Sequence, residues 1–180
     1  MSIRLQGPRV TLRAFREGEF EVLWTEESRD RGPHETPWPQ EAREFLRTRC
    51  EASGQWRERS SLLLAVEAEE RLIGDVQART STEVFPPGVF ELGIALFPSG
   101  RDQGYGTEVV DLLSRYLFDD EHAARVQLGT DVENAAMCRV AEKAGFMFEG
   151  VMRGYWAMPD EPVKDFALYA RTRADHEERG

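Results

Sequence analysis

The stretch Arg101-Asp102-Gln103-Gly104-Tyr105-Gly106-Thr107-Glu108 (RDQGYGTE) places two glycines one residue apart. It lies between an apolar run that ends at Pro98 and a helical pattern that begins near Thr107. Glycine has no Cβ atom, so the backbone can turn tightly and a ligand can approach its N–H groups. The first N–H groups of a helix lack partners within that helix, and this end carries about half a positive charge. The stretch therefore predicts an anion site, and a phosphate is its natural ligand.

Two common phosphate-binding motifs do not fit these residues. The P-loop requires GxxxxGK followed by Ser or Thr, and neither the lysine nor the spacing is present. The dinucleotide fingerprint requires GxGxxG, but the third residue after Gly106 is Val109. The pattern that remains is Arg/Gln-x-x-Gly-x-Gly, which Arg101, Gly104 and Gly106 satisfy.

The composition is that of one soluble domain, which we expect to span residues 1–180. Of the 180 residues, 41% are hydrophobic and 31% are charged. Neither an apolar leader nor a run of about 18 apolar residues occurs, so we expect a cytoplasmic protein without a membrane partner. The net charge of −10 argues against nucleic acid as a partner and suits cationic ones. Cys50 and Cys138 fall in helical patterns without metal-ligand spacing, so we expect neither a metal site nor a disulfide.

Hydrophobic periodicity predicts alternating strands and helices, an α+β outline. The clearest helix follows the glycine stretch, because Val109, Leu112, Leu113, Tyr116 and Leu117 fall on one stripe. The predicted strands cover residues 10–15, 62–66, 72–76, 89–97, 126–130 and 166–170, with helices near 20–24, 42–50, 107–117 and 134–144.

In this context the glycine pattern resembles the pyrophosphate-binding loop of the GNAT superfamily, the general N-acetyltransferases that use acetyl-coenzyme A. A second signature of that family is an Asn that opens a short helix ending in Lys-x-Gly-Phe. Asn134 and the residues Lys143-Ala144-Gly145-Phe146 are similar to it.

Other segments resemble the ribosomal-protein N-terminal acetyltransferase-like branch of the superfamily. The strand Arg9-Val10-Thr11-Leu12-Arg13 looks like the opening strand of that branch. Trp38-Pro39 resembles its Trp-Pro segment, and Asp165 and Tyr169 are similar to its last strand. The resemblance thus covers nearly the whole chain.

The resemblance implies an α+β fold with a mixed, mostly antiparallel central sheet. We expect six to seven strands, about four flanking helices, and a splay between the fourth and fifth strands. A homodimer is expected by similarity alone.

The resemblance also implies how acetyl-CoA binds. Main-chain N–H groups of residues 101–107 would hold the pyrophosphate, with the Thr107 hydroxyl and the Arg101 charge at its rim. Leu96 and Phe97 would pair with the pantetheine arm as a strand does. Asn134 would cap its helix and contact the pantetheine amide. The loop residues are Arg101, Asp102, Gln103, Gly104, Tyr105, Gly106 and Thr107, and Arg139 and Lys143 are the basic candidates for the 3′-phosphate.

Direct acetylation of an amine requires the neutral amine. An aliphatic ammonium with a pKa near 10.4 gives up about 4.6 kcal/mol to be neutral at pH 7, whereas an α-amine near 7.8 gives up about 1 kcal/mol. Only the first kind needs a strong base. Glu91 is our first candidate because it begins the strand beside the loop, and Asp75, Glu83 and Asp131 are the other candidates.

The departing thiolate needs a proton, and here the chain differs from the family. Many members have a Tyr seven residues after the Asn, and the ribosomal branch often has a Ser three residues after it. Ala141 and Met137 occupy these positions. Tyr155 or a water molecule is the predicted substitute, whereas Cys138 should point away from the site.

We expect the acceptor to bind between residues 32–39 and the turn at 80–88, near Trp38, Phe85, Tyr155 and Trp156. The predicted function is an N-acyltransferase that acetylates a primary amine, either a protein N-terminus or a small molecule. The alternative is a catalytically silent acyl-CoA-binding module, because the Tyr and the Ser are absent.

Overall fold

The computed structural model describes residues 2–30, 40–58, 60–81, 83–158 and 162–179. One sheet runs through it, with the strand order β1-β2-β3-β4-β5-β6-β8-β7. The strands are β1 (Leu5–Gln6), β2 (Val10–Arg13), β3 (Ser61–Ala68), β4 (Arg71–Arg79), β5 (Val89–Leu96), β6 (Arg125–Asp131), β7 (Met147–Trp156) and β8 (Lys164–Thr172).

Helices cover both faces of the sheet. A short 3-10 turn, Pro98–Gly100, joins β5 to the loop that precedes the longest helix. The described α-helices are α1 (Glu19–Asp30), α2 (Gln40–Glu51), α3 (Tyr105–Asp119), α4 (Ala135–Lys143) and α5 (Arg173–Glu177).

The predicted mixed, mostly antiparallel sheet is confirmed, with somewhat more elements than expected. The described residues form eight strands and five helices instead of six to seven strands and about four helices. Strand β1 has only two residues, too few to show a periodic pattern. Strand β7 lies at the edge of the sheet, and its residues are mostly exposed, so its sequence lacks the alternation that burial on one face produces.

The predicted splay is also confirmed, because the fourth and fifth predicted strands, at 89–97 and 126–130, are β5 and β6. Strands β5 and β6 are parallel neighbours, and they pair only from Val89↔Arg125 to Glu91↔Gln127. Beyond these pairs β6 continues beside β8 as far as Asp131, whereas β5 keeps only β4 as a neighbour. Residues 92–96 of β5 therefore have no strand neighbour on this edge, which we call the free edge, and another extended chain can pair there.

Alternate residues of the strands enter two separate cores. Leu62 and Leu64 of β3 belong to the larger core, which lies under α3 and α4. Leu63 between them belongs to a smaller core with Phe20 and Leu23 of α1 and Cys50 of α2. Successive side chains of a strand point to opposite faces, so the sheet separates these cores. None of the described helices is long and apolar enough to cross a lipid bilayer.

Candidate functional site

A groove of about 690 Å³ lies beside the glycine stretch. Its floor is the free end of β5, and its walls are the start of α3 and one face of α4. The residues that line it are Asp30, Ile94, Ala95, Leu96, Gly100, Arg101, Asp102, Gly104, Gly106, Thr107, Asn134, Ala136, Met137, Arg139, Val140 and Lys143.

The loop in this groove has a conformation suited to anions. Asp102 and Gly104 both have left-handed backbone angles, with φ of 58° and 80°. Among the described residues, no acceptor pairs with the main-chain N–H groups of residues 102–107. Unpaired N–H groups at a helix start form a concave anion site. The arrangement agrees with the predicted phosphate loop.

Arg9 supports this loop from the side away from the groove. Its Nη1 donates to the Gln103 carbonyl at 2.9 Å, and its Nε donates to Glu108 at 3.0 Å. Its guanidinium also lies 5.1 Å from the centre of the Tyr105 ring. The side chains of Gln103 and Tyr105 do not line the groove. The Gln103 side chain donates to the Ser99 carbonyl, and the Tyr105 side chain is buried in the larger core. These two residues offer the groove main-chain groups only.

Glycine is favoured at positions 104 and 106 for different structural reasons. A Cβ atom at Gly106 would lie 3.2 Å from a methyl group of Val140, so glycine allows α3 to pack closely against α4. At Gly104 the nearest atom is 3.5 Å away, on Arg9, and space is not the constraint. Glycine is favoured at position 104 because of its left-handed backbone angle.

Arg101 does not face the phosphate loop in this structure. Its Nε donates to the Leu96 carbonyl at 2.8 Å, and its guanidinium forms a two-pronged ion pair with Asp30 at the end of α1. One of these contacts, Nη1 to Oδ1, measures 2.9 Å. Arg101 thus occupies part of the free edge of β5, and Asp30 neutralises its charge.

Asp30→Asn should therefore strengthen CoA binding. The change frees the Arg101 guanidinium for a phosphate and removes a negative charge from the groove. Both side chains are partly exposed, so we expect an effect of roughly 1 kcal/mol, or about fivefold in Kd by calorimetry. Glu26→Gln is the matched control, because Glu26 pairs with Arg29 on the same helix and does not line the groove. Equal affinities of the two variants would contradict this interpretation.

Helix α4 contributes the other predicted CoA residues. The side-chain oxygen of Asn134 accepts from the Met137 N–H at 3.0 Å, so Asn134 caps the helix. Asn134 lines the groove, and its amide nitrogen makes no hydrogen bond to a described residue. Arg139 and Lys143 are exposed, one turn apart, and also line the groove. Neither forms an ion pair with a described residue, so both are available to an anion.

Phe97 is a correction to the predicted set. Its side chain is buried in the smaller core, and it does not line the groove. Its N–H donates to the Ile73 carbonyl and its carbonyl accepts from Gly100. Both main-chain groups are satisfied, so the free edge of β5 ends at Leu96.

A second groove, of about 670 Å³, opens on the other side of β5. It lies between α1, α2 and the ends of β7 and β8. Its lining residues are Trp24, Glu27, Asp30, Ala42, Phe45, Leu46, Arg49, Asp75, Gln77, Gly93, Ile94, Ala95, Trp156 and Phe166. Asp30, Ile94 and Ala95 line both grooves, which therefore meet at the free edge of β5.

Asp75 lies at the floor of the second groove. It is 8% exposed, and its Oδ1 atom is buried without a hydrogen-bond partner among the described residues. Burial and the nearby Glu27 carboxylate raise the pKa of Asp75 to about 7, although Arg49 opposes them. A carboxyl group with such a pKa can exchange a proton near neutral pH.

The backbone around Asp75 is irregular, and this irregularity sets its position. The β3–β4 register shifts at Val66/Glu67, which leaves Ile73 as an extra residue in β4. Gly74 follows with φ of 151°, and Asp75 then pairs with Ala95 of β5. The bulge thus sets Asp75 opposite the point where the two grooves meet.

Glu91, our first candidate base, does not line either groove. It forms an ion pair with Arg79 at 2.6 Å. Glu91 lies on the same face of β5 as Ala95 but four residues before it, which is about 13 Å along a strand. Of the other candidates, Glu83 and Asp131 lie outside both grooves as well.

The two positions at which the family has a proton donor hold side chains here that cannot donate one. Met137 lines that groove and Ala141 is buried. Cys138 packs against the larger core and does not line the groove, as predicted. Tyr155 lies outside both grooves, 53% exposed, with its ring 5.1 Å from that of Phe166.

Of the four aromatic residues expected near the acceptor, Trp156 lines the second groove. Residues 32–39, including Trp38 and Pro39, lie outside the described residues. Neither Phe85 nor any other described residue of the 80–88 turn lines the second groove. The other aromatic side chains of that groove are Trp24 of α1, Phe45 of α2 and Phe166 of β8. The sequence pattern did not indicate that these three elements meet Trp156.

Known proteins share this architecture. Residues 9–147 match the family model described as acetyltransferase (GNAT) domain. No curated protein matches the chain at a significant level. The structure of a GNAT-family acetyltransferase from Bacillus anthracis is 21% identical, with a TM-score of 0.78, 96% of this chain covered and 99% of that chain.

Two further solved structures were determined with ligands. RimL, the ribosomal L7/L12 alpha-N-protein acetyltransferase in complex with coenzyme A, is 18% identical, with a TM-score of 0.77 and coverages of 94% and 97%. The microcin C7 self-immunity acetyltransferase MccE, in complex with acetyl-CoA and AMP, is 15% identical, with a TM-score of 0.74 and coverages of 92% and 93%. At these identities the likeness concerns the fold.

Proposed function

Because the chain belongs to the GNAT acetyltransferase family, we propose that it transfers an acetyl group from acetyl-CoA to a primary amine by direct attack. The observation that carries this proposal is the meeting of two grooves at the free edge of β5. One groove has the features of an anion and pantetheine site, and the other has a buried carboxyl group. A donor and an acceptor can therefore approach each other from opposite sides of one strand.

In this proposal the first groove holds acetyl-CoA. The unpaired N–H groups of residues 102–107 bind the diphosphate, and the free edge of β5 from Ile94 to Leu96 pairs with the pantetheine arm. The Asn134 amide nitrogen is available to a pantetheine carbonyl. The presence of CoA in the RimL structure and of acetyl-CoA in the MccE structure supports this choice of donor.

The amine enters from the second groove and attacks the thioester carbonyl near Ile94 and Ala95. A new C–N bond forms as the C–S bond breaks, and the thiolate leaves towards the first groove. A thiol pKa near 8.5 makes CoA a fair leaving group without a strong acid. Met137 and Ala141 therefore limit the rate without preventing turnover.

Thiol release is the test of this function. The protein is mixed with acetyl-CoA and a panel of alkyl amines, peptides and amine antibiotics, and free thiol is measured. We expect release with at least one class of amine. Calorimetry that shows CoA binding while every amine fails would instead support the alternative, a silent acyl-CoA-binding module, which the lack of a proton donor beside Met137 favours.

The double variant Arg139→Ala/Lys143→Ala should lose affinity for CoA but keep its affinity for 3′-dephospho-CoA. Both cations line the first groove and pair with no acidic side chain in the described part of the chain, so we expect them to bind the 3′-phosphate. Loss of two exposed charge-assisted contacts should weaken CoA binding by roughly tenfold. The affinity for 3′-dephospho-CoA should change little in the same calorimetric titration. An equal loss for both ligands would mean that these cations contact another part of the cofactor.

A further inference from the structure

The second groove combines aromatic walls with a buried acid. Trp24 and Phe45 come from α1 and α2, while Trp156 and Phe166 come from β7 and β8. Trp156 and Phe166 are stacked, with ring centres 6.1 Å apart. Aromatic faces attract cations as well as apolar groups. The groove is therefore suited to an amine that carries an apolar or aromatic substituent.

Asp75 differs from the other carboxylates of the groove in having no ion-pair partner among the described residues. Asp30 is paired with Arg101, and Glu27 has an interaction of its own. Arg49, the cation of the groove, donates to the Gln77 side chain at 2.6 Å instead of to Asp75. The buried, unpaired Oδ1 of Asp75 is thus an acceptor that a bound ammonium group could satisfy.

We propose that Asp75 is the general base of the acetyl transfer and that the second groove selects strongly basic alkyl amines with an apolar or aromatic substituent. This inference rests on the proposed function. It assigns a role to a side chain that faces Ala95, where the two grooves meet. An ammonium group beside Asp75 is then next to the free edge of β5 on which the acetyl group is delivered.

The surroundings of Asp75 suit proton transfer near neutral pH. The titratable groups that face it are Glu27 from α1 and Arg49 and Cys50 from α2, while its neighbours in β3 and β5 are Ala65 and Ala95. Burial raises the pKa of the Cys50 thiol to about 12, so it stays neutral. Burial and Glu27 raise the pKa of Asp75, which makes it a stronger base than an exposed aspartate.

The proton and electron count of the step is complete without another reactant. The Asp75 carboxylate takes one proton from the ammonium group, and the nitrogen lone pair forms the C–N bond with the thioester carbon. The C–S bond breaks and its electron pair stays on sulfur. The second proton of the nitrogen passes to the thiolate, directly or through water. Asp75 then returns its proton to solvent, and the products are an amide and CoA thiol.

The requirement for a base depends on the amine, which gives the proposal a specific signature. An alkyl amine with a pKa near 10.4 must lose a proton at a cost of about three pKa units more than an α-amine near 7.8. A base therefore assists the alkyl amine more. A purely structural contribution of Asp75 would reduce the rate with both amines by the same factor.

The experiment compares Asp75→Asn with wild type, using 2-phenylethylamine and a tripeptide with a free N-terminus as acceptors. We expect kcat/KM for 2-phenylethylamine to fall roughly 100- to 1,000-fold, with a clearly smaller fall for the tripeptide. In wild type, kcat/KM should rise with pH and level off above about 7, whereas kcat/KM of the variant should keep rising above pH 7 as the neutral fraction of the amine grows. The Kd for CoA should be unchanged.

Glu91→Gln is the competing arm, because Glu91 occupies the same strand face but lies outside the grooves. Retained activity in Glu91→Gln together with loss in Asp75→Asn supports the proposal. Loss in Glu91→Gln alone, or an Asp75→Asn profile that matches wild type, overturns it while the proposed function stands. If wild type binds CoA but releases thiol with no amine, the proposed function fails and the assignment of Asp75 fails with it.

Discussion

Gly74→Ala should unfold or severely destabilise the protein. A Cβ atom at this position would lie 2.1 Å from the Ala95 carbonyl oxygen and 2.9 Å from the Leu96 Cα atom. Both are backbone atoms of β5, so no side chain can move aside to relieve the collision. The backbone angle of 151° adds strain for any residue other than glycine. Together these effects should cost roughly 3 to 5 kcal/mol of unfolding free energy.

Gly150→Ala provides a matched control for this prediction. Gly150 has φ of 150°, almost the same as Gly74, but a Cβ atom there would have nothing within 4 Å. This variant should lose only roughly 1 kcal/mol, from backbone strain alone. Thermal unfolding measures both, and Gly74→Ala should lower Tm by roughly 10 °C or more. If the two variants lose equal stability, the close contact between β4 and β5 is not as tight as described.

Asp75→Asn should make the protein more stable at neutral and alkaline pH. Burial and the nearby Glu27 carboxylate raise the pKa of Asp75 from an ordinary value of 3.8 to about 7. A difference of three pKa units corresponds to about 4 kcal/mol as an upper limit. The asparagine is neutral at every pH and avoids this cost. We therefore expect a variant that is more stable and less active than wild type.

The pH dependence of this effect has a defined sign. Between pH 3.8 and about 7 the folded protein keeps the Asp75 proton while the unfolded chain has lost it. The unfolding free energy of wild type relative to that of Asp75→Asn should therefore be highest below pH 3.8. It should decrease between pH 3.8 and about 7 and stay low above pH 7.

Urea unfolding of both proteins at several pH values measures this difference. Other carboxylates contribute equally to the pH dependence of both proteins, so their contributions cancel in the difference. One of them is Glu149, whose pKa is lowered by its hydrogen bond with Arg125. A difference in unfolding free energy that is constant with pH would show that Asp75 is not buried as an unpaired acid.

The candidate cofactor groove could be predicted largely from local sequence. Gly104 and Gly106 lie at the start of α3. Asn134 caps α4 by accepting a hydrogen bond from the N–H of Met137, three residues later. These properties depend on residues a few positions apart, and backbone stereochemistry links them directly. The splay was expected from the family resemblance and not from the sequence pattern.

Contacts between distant segments could not be predicted in this way. Arg101 was expected beside a phosphate, but it pairs with Asp30, 71 residues away, and the pattern of neither segment reveals the other. The support of the loop by Arg9, 94 residues before Gln103, is of the same kind. Such contacts arise only when packing of the cores brings α1 and the first strands against the loop.

The sequence by itself determined six of the eight described strands, four of the five described helices and the position of the glycine loop before α3. Alternation with a period of two assigns Glu91 and Ala95 to the same face of β5. Alternation does not say how far along a strand the site lies. Only the tertiary structure decided this, because the bulge before Gly74 and the divergence of β5 from β6 set Asp75 opposite the free edge.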